Sequence, residues 1–107
     1  MPKFVIERNM PGAGNLSHEQ LAVIAEKSCR ALEELGSQIQ WVESYVTANR
    51  VYSVYIARHV RLIREHAYLS GFPADPISEI KAVIDPSTAK DAHFAERRDT
   101  AKEAGMY

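Results

Sequence analysis

The residues best suited to do chemistry are one histidine and three carboxylates: His66, Glu7, Glu43 and Glu79. Imidazole and carboxylate together are donors for a divalent first-row ion, and either group can also move a proton near neutral pH. His66 follows Arg64-Glu65 in a helical run, Gly71-Phe72-Pro73-Ala74-Asp75 reads as a rigid turn, and Ile77-Ser78-Glu79-Ile80 begins a strand. The helix holds no His-x-x-x-His or Glu-x-x-His pair, and Glu65 faces about 100° away from its neighbour, so His66 must draw partners from elsewhere in the fold. The other histidines are weaker candidates: His18 follows a helix cap, His59 stands at a helix start where positive charge opposes the dipole, and His93 lies near the C-terminus.

The elements that must position these groups are legible along the chain. Lys3–Asn9 is a strand-like run closed by Pro11-Gly12-Ala13-Gly14-Asn15. Ser17 with Gln20 three residues on forms a capping box, and Leu21, Ile24, Ala25, Ser28, Leu32 and Leu35 recur at helical spacing until Gly36. Residues 39–47 and 50–57 read as a hairpin turning through Ala48-Asn49, with a left-handed conformation open to Asn49. A second helix runs from about His59 to Ser70, and a last strand from Ile77 to Ile84 stops at Asp85-Pro86. The order β-α-β-β-α-β predicts an α+β, ferredoxin-like domain over residues 1–86, a four-stranded antiparallel sheet with two helices on one face. Residues 87–107 form a charged tail, with a short helix capped by Ser87 or Thr88 expected in it.

Strand alternation sorts side chains between the two sheet faces. Apolar content assigns Phe4, Ile6, Val42, Val46, Val54, Ile56, Ile80, Ala82 and Ile84 to the helix-covered face. The open face then carries Val5, Glu7, Trp41, Glu43, Tyr45, Ser53, Tyr55, Glu79 and Lys81. Such a face is too apolar for water and too acidic for a plain core, so it reads as a dimer interface, a ligand pocket, or a pocket completed by dimerisation. On this assignment His66 lies across the sheet from the carboxylates, and a site joining them needs a sheet edge or a second chain.

Composition bounds the function. A chain of 107 residues with 46% hydrophobic and 25% charged residues is one ordinary globular domain. The net charge of −1 argues against a nucleic-acid binder, which would normally carry a basic stripe; Arg58, Arg61 and Arg64 stand at three-residue spacing and read as a solvated helix face. Cys29 is the only cysteine, so neither an internal disulfide nor a thiolate zinc cluster can form within the chain. No apolar run approaches membrane-spanning length and no signal-like segment opens the chain, so a cytoplasmic protein without membrane contact is expected. Gly12-Ala13-Gly14 lacks the continuation of a phosphate loop, and no dinucleotide fingerprint occurs, so no organic cofactor is expected.

Several segments together resemble a known family: Glu7-Arg8 with Pro11-Gly12, Trp41 with Ser44-Tyr45-Val46, Tyr55 with Ala57, Arg64-Glu65-His66-Ala67, Gly71-Phe72-Pro73-Ala74-Asp75, Ser78-Glu79-Ile80 and Ile84-Asp85-Pro86. Residues 3–86 are similar to the small ferredoxin-like domain-of-unknown-function family that includes a nickel-binding, nickel-responsive bacterial protein. The resemblance implies a homodimer with a ferredoxin-like fold and, in at least one relative, the binding of nickel ions; a dimeric α/β barrel that binds nickel or another divalent transition metal is the expectation for this chain. Within the matching motifs, His66, Glu7 and Glu79 have ligand chemistry, and Glu43 adds a carboxylate to the open face. The chain departs from the family pattern at Ser53, where relatives often carry cysteine, at Pro76 and at Arg58. The alternative is a dimeric α/β-barrel enzyme or a binding module for a small aromatic molecule, with Trp41, Tyr45 and Tyr55 around the ligand and Glu43 or His66 moving a proton.

Overall fold

A computed structural model describes residues 1–71 and 76–92. Residues 72–75, where the sequence predicts a turn, and residues 93–107, which include His93 and most of the expected tail, lie outside the described residues. The chain forms β1 (Lys3–Asn9), α1 (His18–Leu35), β2 (Ile39–Val46), β3 (Arg50–Ala57), α2 (Val60–Ser70) and β4 (Ile77–Glu79). The strands make one four-stranded antiparallel sheet in the order β2-β3-β1-β4. The α+β class and the expected succession of elements are therefore present. Among the described residues no helix is long and apolar enough to cross a membrane.

Local chemistry sets the boundaries. The Ser17 hydroxyl accepts from the Gln20 amide at 3.1 Å, and the Ser17 amide donates to Gln20 Oε1 at 2.9 Å, closing the expected capping box. Gly71 ends α2 at φ 75°, a left-handed position that a Cβ would strain. The hairpin turn is held by the Thr47 amide donating to the Arg50 carbonyl at 2.9 Å and the Arg50 amide donating to Thr47 Oγ1 at 3.1 Å. Its tip docks on the loop after β1: the Gly14 amide donates to the Ala48 carbonyl at 3.0 Å, and the Gly12 amide to Asn49 Oδ1 at 3.0 Å. The backbones approach so closely that a Cβ on Gly14 would stand 2.8 Å from Ala48 Cα.

Two expectations about the C-terminal part are corrected. The last strand ends at Glu79 rather than Ile84. The Ile80 amide donates to the Lys3 carbonyl at 2.7 Å, and β1 begins there, so residues 81–84 run past the end of their partner strand. Val83 and Ile84 are accordingly exposed. The following turn of 3-10 helix, Pro86–Asp91, is capped by Asp85 rather than by Ser87 or Thr88. Asp85 Oδ1 accepts from the Ser87 amide at 2.9 Å and the Thr88 amide at 3.3 Å, which leaves Pro86 at the first helical position where its missing N–H costs nothing.

The core gathers Phe4, Ile6, Ile39, Tyr55, Ala57 and Ile63, with Leu32 and Leu35 of α1 and Leu62 of α2 packed against it. Cross-strand partners share a face, so the pairs Phe4–Tyr55, Ile6–Ser53 and Arg8–Val51 place all six residues under the helices. The expected orientation of β3 is thus reversed: Ser53 and Tyr55 point inward, while Val54 and Ile56 lie on the open face. On β2 a bulge between Trp41 and Glu43 inserts one extra residue and switches the parity. Trp41, before the bulge, is opposite Tyr55 and faces the helices, as do Ser44 and Val46 after it, whereas Glu43 and Tyr45 face outward. Val42, expected inside, occupies the bulge and is exposed.

Candidate functional site

The covered face holds a buried polar network. Arg8 Nη2 donates to the Tyr55 hydroxyl at 3.1 Å, and the same hydroxyl lies 2.9 Å from His66 Nε2. The Tyr55 and His66 rings meet edge-on with centroids 5.2 Å apart. Arg8 is 3% exposed, Tyr55 1% and His66 0%. Because Tyr55 Oη accepts from Arg8, its own proton is placed to be donated to Nε2, which selects the tautomer protonated at Nδ1. Beside this chain, Trp41 Nε1 donates to Ser44 Oγ at 3.0 Å, and Ser44 Oγ lies 2.7 Å from Ser53 Oγ.

Burial and then the Arg8 charge lower the pKa of His66 to about 4, so the imidazole is neutral at pH 7. Burial pushes the Tyr55 phenol above its ordinary value, with the Arg8 charge and hydrogen bond pulling the other way. The network is therefore a neutral imidazole and a neutral phenol beside a guanidinium.

A cavity of about 200 Å³ opens between α1 and the sheet next to this network. Arg8, Ser28, Ser44, Ser53 and Tyr55 border it with Trp41, and the remaining wall is apolar, from residues such as Leu21 and Ile24. Arg8, Ser28 and Ser44 were not among the residues nominated from sequence. For Arg8 the signal was present, since it continues the inward phase of Phe4 and Ile6. For Ser44 it was hidden by the bulge.

The four nominated metal ligands do not converge within one chain. His66 is enclosed on the buried side of α2, with Nε2 on the Tyr55 hydroxyl. Glu7 is on the open face, opposite Tyr52, with a carboxylate oxygen 3.9 Å from Arg50 Nη1. Glu43 is also on the open face and accepts a hydrogen bond from the Tyr45 hydroxyl, which raises the Tyr45 pKa. Glu79 pairs with Phe4, which corrects its expected face: it stands on the helix side of the edge strand, 3.3 Å from Lys81 Nζ. Among the described residues no group of three or more His, Cys, Asp or Glu is positioned to hold a metal ion. Of the residues nominated for a pocket or dimer face, Trp41, Ser53 and Tyr55 line the covered cavity, Tyr45 lies on the open face, and Lys81 is exposed beyond the end of β4.

A small α+β domain with a largely apolar cavity under its first helix, bordered by a few polar side chains, and carboxylates on its open sheet face is the class these features define. Residues 4–80 match the family described as "Nickel responsive protein SCO4226-like", and the chain belongs to that family. The crystal structure of SCO4226 from Streptomyces coelicolor A3(2) superposes with a TM-score of 0.65 at 13% identity, covering 77% of this chain and 99% of that one. At that identity the likeness speaks for the fold. No curated protein matches the chain.

Proposed function

We propose that the protein acts as a homodimer of ferredoxin-like subunits, paired through their open sheet faces as a dimeric α/β barrel, and that it binds a divalent transition metal, nickel foremost. The observation that carries this reading is the composition of the open face. Val5, Val54, Ile56 and Tyr52 are all half-buried in the isolated chain and adjoin one another across β1 and β3, with Glu7 and Glu43 set among them. An apolar strip of this kind loses free energy in contact with water and gains it by meeting a copy of itself. Family membership supplies the metal. Since one chain gathers no ligand cluster, the ligands are drawn from two copies, and Glu7 and Glu43 are the carboxylates that two-fold pairing of open faces duplicates.

Calorimetric titration of the metal-free protein with nickel, zinc, cobalt and magnesium tests the metal. Saturable nickel binding that weakens in Glu7→Gln with Glu43→Gln supports the reading, and no saturable heat with any ion ends it. Light scattering tests the dimer: Val54→Lys places a charge in the strip and yields a folded monomer, whereas an unchanged dimer mass places the interface elsewhere.

A second reading, a binding module or enzyme for a small aromatic molecule, is favoured by the cavity under α1. That cavity is independent of the open face, so the two readings are compatible.

A further inference from the structure

The polar side chains that border the cavity under α1 are paired with one another, with one exception. Arg8 donates to the Tyr55 hydroxyl, Trp41 Nε1 donates to Ser44 Oγ, and the Ser44 and Ser53 hydroxyls share a hydrogen bond. The exception is Ser28, which is 4% exposed and whose hydroxyl has no hydrogen-bond partner among the described residues. A serine inside a helix commonly turns its hydroxyl onto a carbonyl three or four residues back. Ser70 of α2 does so, donating to the His66 carbonyl at 2.8 Å. Ser28 of α1 makes no such bond, so its hydroxyl keeps both donor and acceptor capacity beside the cavity. A buried hydroxyl without a partner destabilises the fold, and a ligand that bonds it offsets that cost.

Volume and wall chemistry limit the occupant. A cavity of roughly 150 Å³ accommodates benzene. The 200 Å³ found here accommodates one ring, or a branched chain of similar bulk, with one small substituent. Apart from the paired groups and Ser28, the wall is apolar, from residues such as Met10, Leu21, Ile24, Val46 and Val51. A charged ligand entering it gives up its hydration shell, and one hydroxyl does not replace that shell. An ordered internal water takes about three hydrogen bonds, so a lone hydroxyl also suits an apolar ligand better than a water. We infer that this cavity binds a small uncharged molecule, an apolar body of about one ring bearing a single hydroxyl or carbonyl, with that group on the Ser28 hydroxyl. The inference rests on the small-molecule reading and gives it a ligand class; it is independent of metal binding.

Trp41 is the only tryptophan of the chain and borders the cavity, so its fluorescence reports on occupancy. The full chain is titrated with benzyl alcohol, with ethylbenzene as an analogue of equal bulk without the hydroxyl, and with benzoate as a charged one. Each titration is repeated with Ser28→Ala, a substitution well suited to a helix, and with Ala25→Leu, which fills the cavity from α1. Benzyl alcohol and ethylbenzene saturate the Trp41 signal, and benzoate binds about tenfold more weakly than benzyl alcohol or worse. Ser28→Ala weakens benzyl alcohol by roughly two- to tenfold and leaves ethylbenzene unchanged, and Ala25→Leu loses both. The Ser28→Ala difference locates the ligand even if Ala25→Leu does not fold. Benzoate binding as tightly as benzyl alcohol, or benzyl alcohol losing no more than ethylbenzene in Ser28→Ala, overturns the inference and leaves the small-molecule reading standing. No response to any of the compounds, or binding that survives in folded Ala25→Leu, overturns both.

Discussion

The two faces of the sheet divide polar and apolar character against intuition. The covered face keeps an arginine, a histidine, a tyrosine and serines among its buried residues, whereas the open face carries valines, an isoleucine and tyrosines half in water. The contrast shows that a buried polar set can be linked from member to member, here Arg8 to Tyr55 and Tyr55 to His66, even though His66 Nδ1 has no hydrogen-bond partner among the described residues. It also shows that an apolar strand residue need not point at its own core when a second surface is available to cover it.

The largest expected effect contrasts neighbours on β1. Ile6→Ala removes a fully buried side chain and lowers unfolding free energy by about 2–5 kcal/mol, while Val5→Ala, measured at concentrations low enough to keep the protein monomeric, costs under about 1.5 kcal/mol. Urea denaturation decides it, and equal losses would erase the distinction between faces.

The next effect is a pH dependence confined to the covered face. The folded-state pKa of His66, about 4, lies below its ordinary 6.5, so the unfolded chain takes up the proton first as the pH falls. Stability held above pH 6.5 is therefore lost progressively down to pH about 4, by up to about 3 kcal/mol. Urea midpoints from pH 7.5 to 4.5 follow this decline in the wild type, and His66→Gln removes most of the slope. A slope that survives the substitution assigns the acid sensitivity to other groups.

Tyr55→Phe is smaller. It deletes the hydroxyl that links Arg8 to His66 and costs about 1–3 kcal/mol, since buried polar groups lose a partner. It also releases Nε2 from the bond that selects its tautomer, which shifts the His66 ring signals in a nitrogen-detected NMR spectrum. Smallest of all, Arg50→Ala on the open face removes a long, half-exposed ion pair with Glu7 and changes stability by under about 1 kcal/mol. A larger loss would mean that Arg50 is buried, as it would be inside a dimer interface.

Much of this was legible in the residues. The capping box at Ser17 and Gln20 and the stops at Gly36 and Gly71 are local signals, because their hydrogen bonds or dihedral demands involve residues a few positions apart. Cavity and network were not legible, although Trp41, Ser53 and Tyr55 had been singled out. Residues 51–57 alternate Val, Ser, Tyr and Ala with Tyr, Val and Ile, and hydropathy alone favours the wrong set for the inside.

What the sequence by itself determined is the order of elements, the class of the fold, the family, and the residue types available for chemistry. Local propensity and capping act over a few residues, and the family pattern is written in the chain. Only the tertiary structure decided which way β3 faces and where Trp41 and His66 meet their partners. The phase of a strand is chosen by register with its neighbours. A single extra residue at the Trp41–Glu43 bulge turns every later side chain of β2 to the opposite face.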